Sequence, residues 1–483
     1  MMNMIPPSIS IFTALLKEQG CTVDLFDTTY YSTDNEFDSD KKKKESVQVR
    51  PFDLAEKGIF PKNTNVYVDL IKKVEEFSPD LIALSCVEDM WPLGLKLLNC
   101  IKDKKVPSIV GGVFPTFAPD IVIQEEDVDI VCRGEGEMPL VELCKKMAKG
   151  EDYSNIQNLW VKKNGTIKKN LIRGRTDMDK IPVPDFTLFE DKRLYRPMAG
   201  NVFRMLPVET HRGCPYSCDF CNSPALQNIY RDAKAGNYFR KKRVSKVYEE
   251  IKFYIDNWKI EYVYFTADTF LAWNAAEFDE FIEKYSDFKL PFWIQTRPET
   301  ITDKRIKKLK DVGIHRMSIG MEHGNGRFRK EVIKRNVSNK TIISSFAIAE
   351  NYAVPVTVNN IVGFPDETRA LAQDTIELNT QIKTDTTNCY AFVPYHGTPL
   401  RDYALQKGYI KEKTKTLCLT GEPVLDMPQF SKKEIMGVMR TLPLYAKFPR
   451  NIWNQIQRAE EFDDEGDRIF EELRNQYIEN FFA

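Results

Sequence analysis

Twice along this chain, short apolar and β-branched runs alternate with amphipathic helical stretches, and that alternation restricts it to parallel sheets covered by helices. In the first series Ile11 to Gln19 reads as helix, Thr22 to Phe26 as strand, Val66 to Phe77 as helix and Leu81 to Ser85 as strand. Leu95 to Lys102 reads as helix, Ser108 to Val110 as a strand running into Gly111-Gly112, Asp129 to Cys132 as a strand ending in Arg133-Gly134-Glu135, and Leu140 to Ala148 as helix. Sheets of this kind bind ligands at the carboxyl ends of their strands, where these glycine-rich turns fall. The second series has strands at Val208 to Thr210, Tyr262 to Thr266, Phe292 to Gln295, Arg316 to Gly320, Val356 to Val362 and Thr387 to Val393. Six such strands with intervening helices predict a partial (β/α)6 barrel with its reactive groups at the strand ends.

Ile156 to Lys169 between the series reads as a hairpin turning at Asn164-Gly165, and the Pro-rich Ile181 to Phe186 as a linker. At 483 residues the chain is too long for one ordinary core. The expected α/β division is a Rossmann-like doubly wound parallel sheet over 1–150, a linker with hairpin over 151–203, the partial barrel over 204–430 and a helical extension over 431–483. Asp34 to Glu56, polar and rich in Lys and Asp, reads as a mobile surface insertion. Pro6-Pro7 and a helix stand where such a sheet usually opens with a strand, so a first strand is expected to be absent or very short.

A net charge of −1 gives no case for a nucleic-acid or membrane-surface partner. No apolar stretch is long enough to span a bilayer, and Met1 to Gln19 lacks the features of a signal peptide. Ten cysteines in so long a chain do not make a disulfide framework, so a reducing cytoplasm is expected.

Three of those cysteines, Cys214, Cys218 and Cys221, fall within eight residues on a loop just after a strand. Thiolates this close select zinc or iron–sulfur. Structural zinc asks for a fourth ligand, and the nearest candidate, His211, precedes Cys214 by only three residues. Three thiolates suit a 4Fe–4S cluster with one iron left open to chelate the amino and carboxylate groups of S-adenosylmethionine.

The Cys-x3-Cys-x2-Cys spacing, with Phe220 before the last cysteine, resembles the radical S-adenosylmethionine superfamily. Further segments extend the resemblance. Tyr264 to Phe270 lies where that family contacts the methionine amine, which implies roles for Ala267 and Asp268. Gln295 and Arg297 end the third strand of the implied barrel. Gly320 to Gly324 is similar to the family's GIESG segment with His323 in place of serine, implying that Glu322 faces the nucleoside with Arg335 as its polar partner. Gly363 to Thr368 is similar to a GxPxET turn that holds adenine, and Pro394 to Leu400 to the turn closing the barrel.

Residues 1 to about 150 resemble the cobalamin-binding domain that precedes many such enzymes, through Pro6-Pro7-Ser8, Pro79 to Ser85, Gly111-Gly112-Val113-Phe114-Pro115-Thr116 and Arg133 to Glu137. The resemblance implies that Gly111, Gly112, Pro115, Thr116, Arg133, Gly134 and Glu135 lie beside the cofactor. All four histidines (His211, His315, His323, His396) follow residue 200, so cobalamin would bind without a protein imidazole on cobalt. The other reading of these glycines is that they only make tight strand–helix turns.

Together these resemblances imply an oxygen-sensitive radical enzyme, expected to be a cobalamin-dependent methyltransferase acting on an unactivated carbon of a small molecule. It would draw electrons from a donor such as a flavodoxin or ferredoxin. The alternatives are oxidation, cyclisation or ring rearrangement with the same cofactors, or a non-catalytic cobalamin-binding regulator. Cys389, Tyr390, Tyr395 and His396, near the last strand end, are candidate substrate-facing residues.

Overall fold

The computed structural model describes residues 4–33, 39–416 and 419–482, and the chain divides into two compact units. One comprises the chain start, Leu54–Leu194 and Ala225–Lys241; the other takes the segment ending at Asp53, Tyr195–Pro224 and the chain from Lys242 onward. The cuts therefore differ from the four successive spans read along the sequence.

In the first unit, β1 (Ile82–Ser85), β2 (Ser108–Gly111) and β3 (Ile130–Cys132) run parallel, and β4 (Leu159–Lys163) and β5 (Thr166–Lys169) extend the sheet antiparallel in the order β1-β2-β3-β4-β5. Ile109 and Ile130 face one side with Phe12, Leu16, Leu140 and Leu143 from the Pro7–Glu18 and Glu137–Ala148 helices. Their neighbours Val110 and Val131 face the other, against Trp91, Leu98, Phe114 and Val122. Burial on both faces is what makes these strands continuously apolar. The hairpin turns where expected, with positive φ at Asn164 and Gly165, but it belongs to this sheet rather than to a linker. Thr22 to Phe26 forms no strand. Asp24 sits in mid-run, accepts the Leu25 N–H and pairs with Lys73, which diverts the backbone from a ladder.

The second unit holds a seven-stranded sheet ordered β14-β13-β12-β11-β10-β7-β6. Its strands are β6 (Tyr195–Met198), β7 (Asn201–Val208), β10 (Tyr262–Phe265), β11 (Phe292–Thr296), β12 (Ile314–Glu322), β13 (Val356–Val362) and β14 (Thr386–Ala391). Two-residue strands β8 (His211–Arg212) and β9 (Arg240–Lys241) lie outside the large sheets. All but β6 are parallel, giving the six expected barrel strands. The first of them lies earlier than Val208 to Thr210 because a turn with positive φ at Ala199 and Gly200 starts it at Asn201, and Asn201 and Arg204 break its apolar pattern. Phe265, Phe292, Val362 and Cys389 pack toward helices or the cluster formed with them. By alternation Tyr264, Trp293, Gln295, Ser318, Asn359, Asn388 and Tyr390 occupy the opposite face.

The expected mobile insertion is, over 39–53, a built part of the second unit. Val47 is fully buried among the residues around β14 and the Lys432–Lys447 helix. Gln48 accepts the edge-strand N–H of Cys389 at 3.1 Å and reaches the Met439 carbonyl at 3.4 Å, while Arg50 binds Asp385. The polar composition hides one buried valine and a cap for a strand edge. The helical extension forms as read, with Lys432–Lys447 and Asp464–Phe481 helices. Among the described residues no helix is long and apolar enough to cross a membrane.

Lys242 and Glu250 form a buried ion pair at 2.8 Å, and the Lys242 N–H also donates to the Thr210 carbonyl just before the cysteine loop. Lys242→Met leaves an uncompensated buried carboxylate and is expected to cost about 3–5 kcal/mol, most of it recovered when Glu250 also becomes Met. Urea unfolding of both variants measures this; a single variant as stable as the parent would refute it.

Candidate cluster and cofactor sites

Strand β7 delivers the chain to Gly213, whose φ of 82° turns it into the loop carrying Cys214, Cys218 and Cys221. Cys214 and Cys218 are buried, and the Cys221 N–H donates to the Cys218 carbonyl at 3.2 Å, so the last two thiols share a tight turn. Backbone contacts hold this loop: the Asp219 N–H donates to Ile333, and its carbonyl accepts from Leu400 in the Pro394 to Leu400 turn. Asn222 donates to the His396 carbonyl of the same turn, and Phe220 packs edge-on against Phe364. The expected barrel-closing turn and the expected adenine turn therefore both brace the cysteine loop.

Burial, together with Asp268 and the other two thiols nearby, pushes Cys221 up to about 12. Burial also raises Cys214, whose sulfur lies 3.3 Å from the Thr269 hydroxyl. Three crowded thiols in a dry site suit a cationic group that would let them ionise. Among the described residues no three His, Cys, Asp or Glu groups converge as a single metal ion requires. Such convergence is what structural zinc asks of its ligands, whereas the corners of an iron–sulfur cube do not ask sulfurs to meet at one point. His211 is committed elsewhere: its Nδ1 bonds the Thr210 hydroxyl at 2.7 Å and its ring meets Trp273 edge-on.

Arg297 is the main electrostatic feature beside the thiols. Its Nη1 donates to the Cys218 sulfur at 3.1 Å, its plane lies 3.8 Å from the Tyr216 ring centre, and Glu299 accepts from its Nε. Tyr216, Thr269 and Glu299 join this site without a place among the residues expected from the sequence. Tyr216 lies inside the motif and offers a signal; Thr269 and Glu299 follow strand ends by four and three residues, where such contacts arise. Gln295 donates to the Ala267 carbonyl at 3.0 Å, and Asp268 accepts from Ser223 at 2.6 Å with its carboxyl raised by burial. These strand ends thus converge on the loop.

Glu322 ends β12 with φ of 68°, past a register shift against β13, a strained conformation for a non-glycine residue. Burial raises its carboxyl despite Arg335, whose Nη1 lies 3.5 Å from Oε1 and whose Nη2 donates to the Gly320 carbonyl. His323 is wholly buried. Its Nδ1 accepts the Asn325 N–H, which leaves Nε2–H to donate to Glu367 at 3.1 Å. Glu367 in turn accepts the N–H groups of Gly363 and Phe364. The substitution of histidine for serine thus ties the glutamate segment to the Gly363 turn. Cys389 is fully buried among core residues, and burial pushes its thiol far up, so it packs rather than reacts.

In the first unit, Thr116 joins two turns: its hydroxyl donates to the Gly112 carbonyl at 2.7 Å and accepts the Gly134 N–H at 2.9 Å. Arg133 lies over Trp160, and Pro115 is buried. Glu135 is committed to structure, accepting the Thr176 N–H and pairing with Arg240. Gly111 approaches the Cys132 side chain, and a side chain at Gly112 or Gly134 would strike the Cys86 backbone or Tyr230. Close packing within the unit thus accounts for these glycines. What suits a flat apolar ligand lies beside them: Val87 and Met90 after β1, Val113 after β2 and Met138 after β3 are large apolar side chains left exposed at three adjacent carboxyl ends.

Residues 208–378 match the radical SAM superfamily and residues 53–144 the B12 binding domain. An uncharacterized methyltransferase of Pyrococcus horikoshii is 27% identical over 77% of this chain and 80% of its own. The anaerobic magnesium-protoporphyrin IX monomethyl ester cyclase of Cereibacter sphaeroides is 24% identical over 77% of this chain and 60% of its own. The radical S-adenosylmethionine methyltransferase TsrM of Kitasatospora setae, solved with cobalamin and a [4Fe-4S] cluster, shares the fold at 14% identity, with a TM-score of 0.66 over 99% of this chain and 97% of that one.

Proposed function

For a chain that belongs to the cobalamin-binding radical S-adenosylmethionine enzymes, as this one does, we propose the activity of a cobalamin-dependent methyltransferase acting on an unactivated carbon of a small molecule. The observation that carries this reading is the presence in one chain of the braced three-cysteine loop and a cobalamin-type sheet free of histidine. When bound, the cluster supplies an electron to the sulfonium of S-adenosylmethionine to start radical chemistry, and cobalamin without a protein imidazole supplies a transferable methyl group.

Cys214, Cys218 and Cys221 hold the cluster, and Arg297 sets positive charge and a hydrogen bond on the Cys218 sulfur. Phe220 locks the loop against Phe364. Ala267, Asp268 and Gln295 position the methionine end; Glu322 and Arg335 serve the nucleoside, and the Gly363 turn its adenine. Gly111, Gly112, Pro115 and Thr116 with Arg133, Gly134 and Glu135 hold the cobalamin side in shape. A low-potential donor such as a flavodoxin or ferredoxin supplies the electron.

Protein purified without oxygen from cobalamin-fed cells is expected to carry about four irons and one cobalt per chain. With methyl-labelled S-adenosylmethionine and a pool of small metabolites, 5′-deoxyadenosine, S-adenosylhomocysteine and a labelled product should form together. The likeness to the cyclase favours one second reading, oxidation or ring formation with the same cofactors. It predicts 5′-deoxyadenosine without S-adenosylhomocysteine. Iron without cobalt, even after reconstitution, would sink the methyltransferase reading. Formation of 5′-deoxyadenosine excludes a purely regulatory protein.

A further inference from the structure

The face of the second sheet turned away from its helices is polar across β12, β13 and β14 and carries two cations, one over β14 and one over β10. Asn388 Nδ2 donates to Asn359 Oδ1 at 3.0 Å, and Asn359 Nδ2 donates to Ser318 Oγ at 2.8 Å, so one relay crosses β14, β13 and β12. The relay ends in an unspent acceptor: Asn388 Oδ1 is buried without a hydrogen-bond partner, in a residue only 9 % exposed. A buried acceptor in a functional unit calls for a donor.

On the same face Tyr264 and Trp293 stack at 4.2 Å with 14° between their planes, and Arg196 lies 4.6 Å over the Tyr264 ring. Lys43, from the segment anchored by Val47 and Gln48, stands 5.1 Å over the ring of Tyr390, two residues beyond Asn388 on β14. Tyr264 and Tyr390 lie four strands apart in the sheet order, and each ring carries a cation, Arg196 on the first and Lys43 on the second. Two cation-capped rings thus line one face of the sheet, beside the flat Tyr264–Trp293 stack.

We propose that Lys43, Arg196 and Asn388 select the substrate, and that its class is a small planar acid: a carboxylate or phosphate seated between the two cations, with an N–H or O–H donor reaching Asn388 Oδ1. This rests on the reading of the second unit as an enzyme acting on a small molecule. Charge-assisted contacts supply the affinity, the Tyr264–Trp293 stack receives the planar part, and the amide fixes the orientation.

The test uses the anaerobic holoenzyme and probes of one shape, with binding read by saturation-transfer NMR. 4-Hydroxybenzoate carries an acid and a donor, 4-hydroxybenzyl alcohol lacks the acid, and 4-methoxybenzoate lacks the donor. The first should bind roughly tenfold more tightly than the alcohol, and Lys43→Met should remove most of that advantage with iron content unchanged. Loss of the donor should weaken binding to the parent but not to Asn388→Ala. Equal affinity for acid and alcohol, no binding of either, or an undiminished Lys43→Met variant overturns the assignment. Formation of 5′-deoxyadenosine by the unaltered protein, measured in parallel, tests the enzyme reading separately, since acid preference is scored by binding alone.

Discussion

Cys218→Ala is expected to yield folded protein that retains cobalamin but cuts 5′-deoxyadenosine formation by roughly a thousandfold or more, a barrier increase of about 4 kcal/mol. Three thiolates hold three irons of the cluster and leave the fourth open, and Cys218 is the one whose sulfur accepts from Arg297. Removing it takes away a cluster ligand and the sulfur acceptor of Arg297 Nη1, while Glu299 still pairs with that guanidinium. Arg297→Met separates the two effects. It should keep the iron, lower the reduction potential by removing the hydrogen bond to sulfur, and cost about 10- to 100-fold in activity. Iron analysis, electron paramagnetic resonance and a reductive titration distinguish these outcomes. A Cys218→Ala protein with full iron content and normal turnover would remove the three-cysteine assignment.

Gly112→Val should have the complementary effect. At φ of 108° a β-carbon on residue 112 would sit 2.5 Å from the Cys86 carbonyl oxygen and 3.0 Å from its nitrogen, both backbone atoms that cannot rotate away. Backbone strain of about 1–3 kcal/mol adds to overpacking of similar size. The turn that Thr116 ties to Gly134 must then open. Cobalt is expected to fall to about a tenth of the parent's content or less while iron is kept, because the cluster loop belongs to the other unit. Parent-level cobalt with an unchanged thermal midpoint would show that this turn does not shape the cobalamin side.

The alternation of apolar runs disclosed both sheets because strands covered on two faces cannot disguise their hydrophobicity; Val356–Val362 and Val66–Phe77 fell where they were read. The cysteine loop was legible for a different reason, since three ligands supplied from one stretch leave a local pattern. The features that leave no local pattern depend on partners distant in sequence. Asp24 gave no sign that its carboxylate would break a strand, and Glu135, read as a cofactor contact, is held by Thr176 and Arg240. Of the stretch from Asp34 to Glu56, residues 34–38 lie outside the described ones; over 39–53 composition misleads because it averages over a stretch, whereas Val47 and Gln48 act singly. The amide relay was equally hidden: three small polar residues on three strands carry no common motif until register sets them side by side.

The exchange of segments between the units has a consequence for how the molecule is made. Gln48 must wait for Cys389, which is 341 residues further along. At roughly 5–20 residues per second of synthesis, that wait is on the order of 20 to 70 s. During it a polar arm carrying Val47 hangs from the ribosome with no partner, and the first unit in turn is incomplete until Lys241 has emerged. The order of birth is thus the reverse of the order of closure. The last barrel strand, once formed, is sealed by a segment made long before it, so a nascent protein stalled before β14 keeps the Val47 and Gln48 segment exposed to chaperones and proteases.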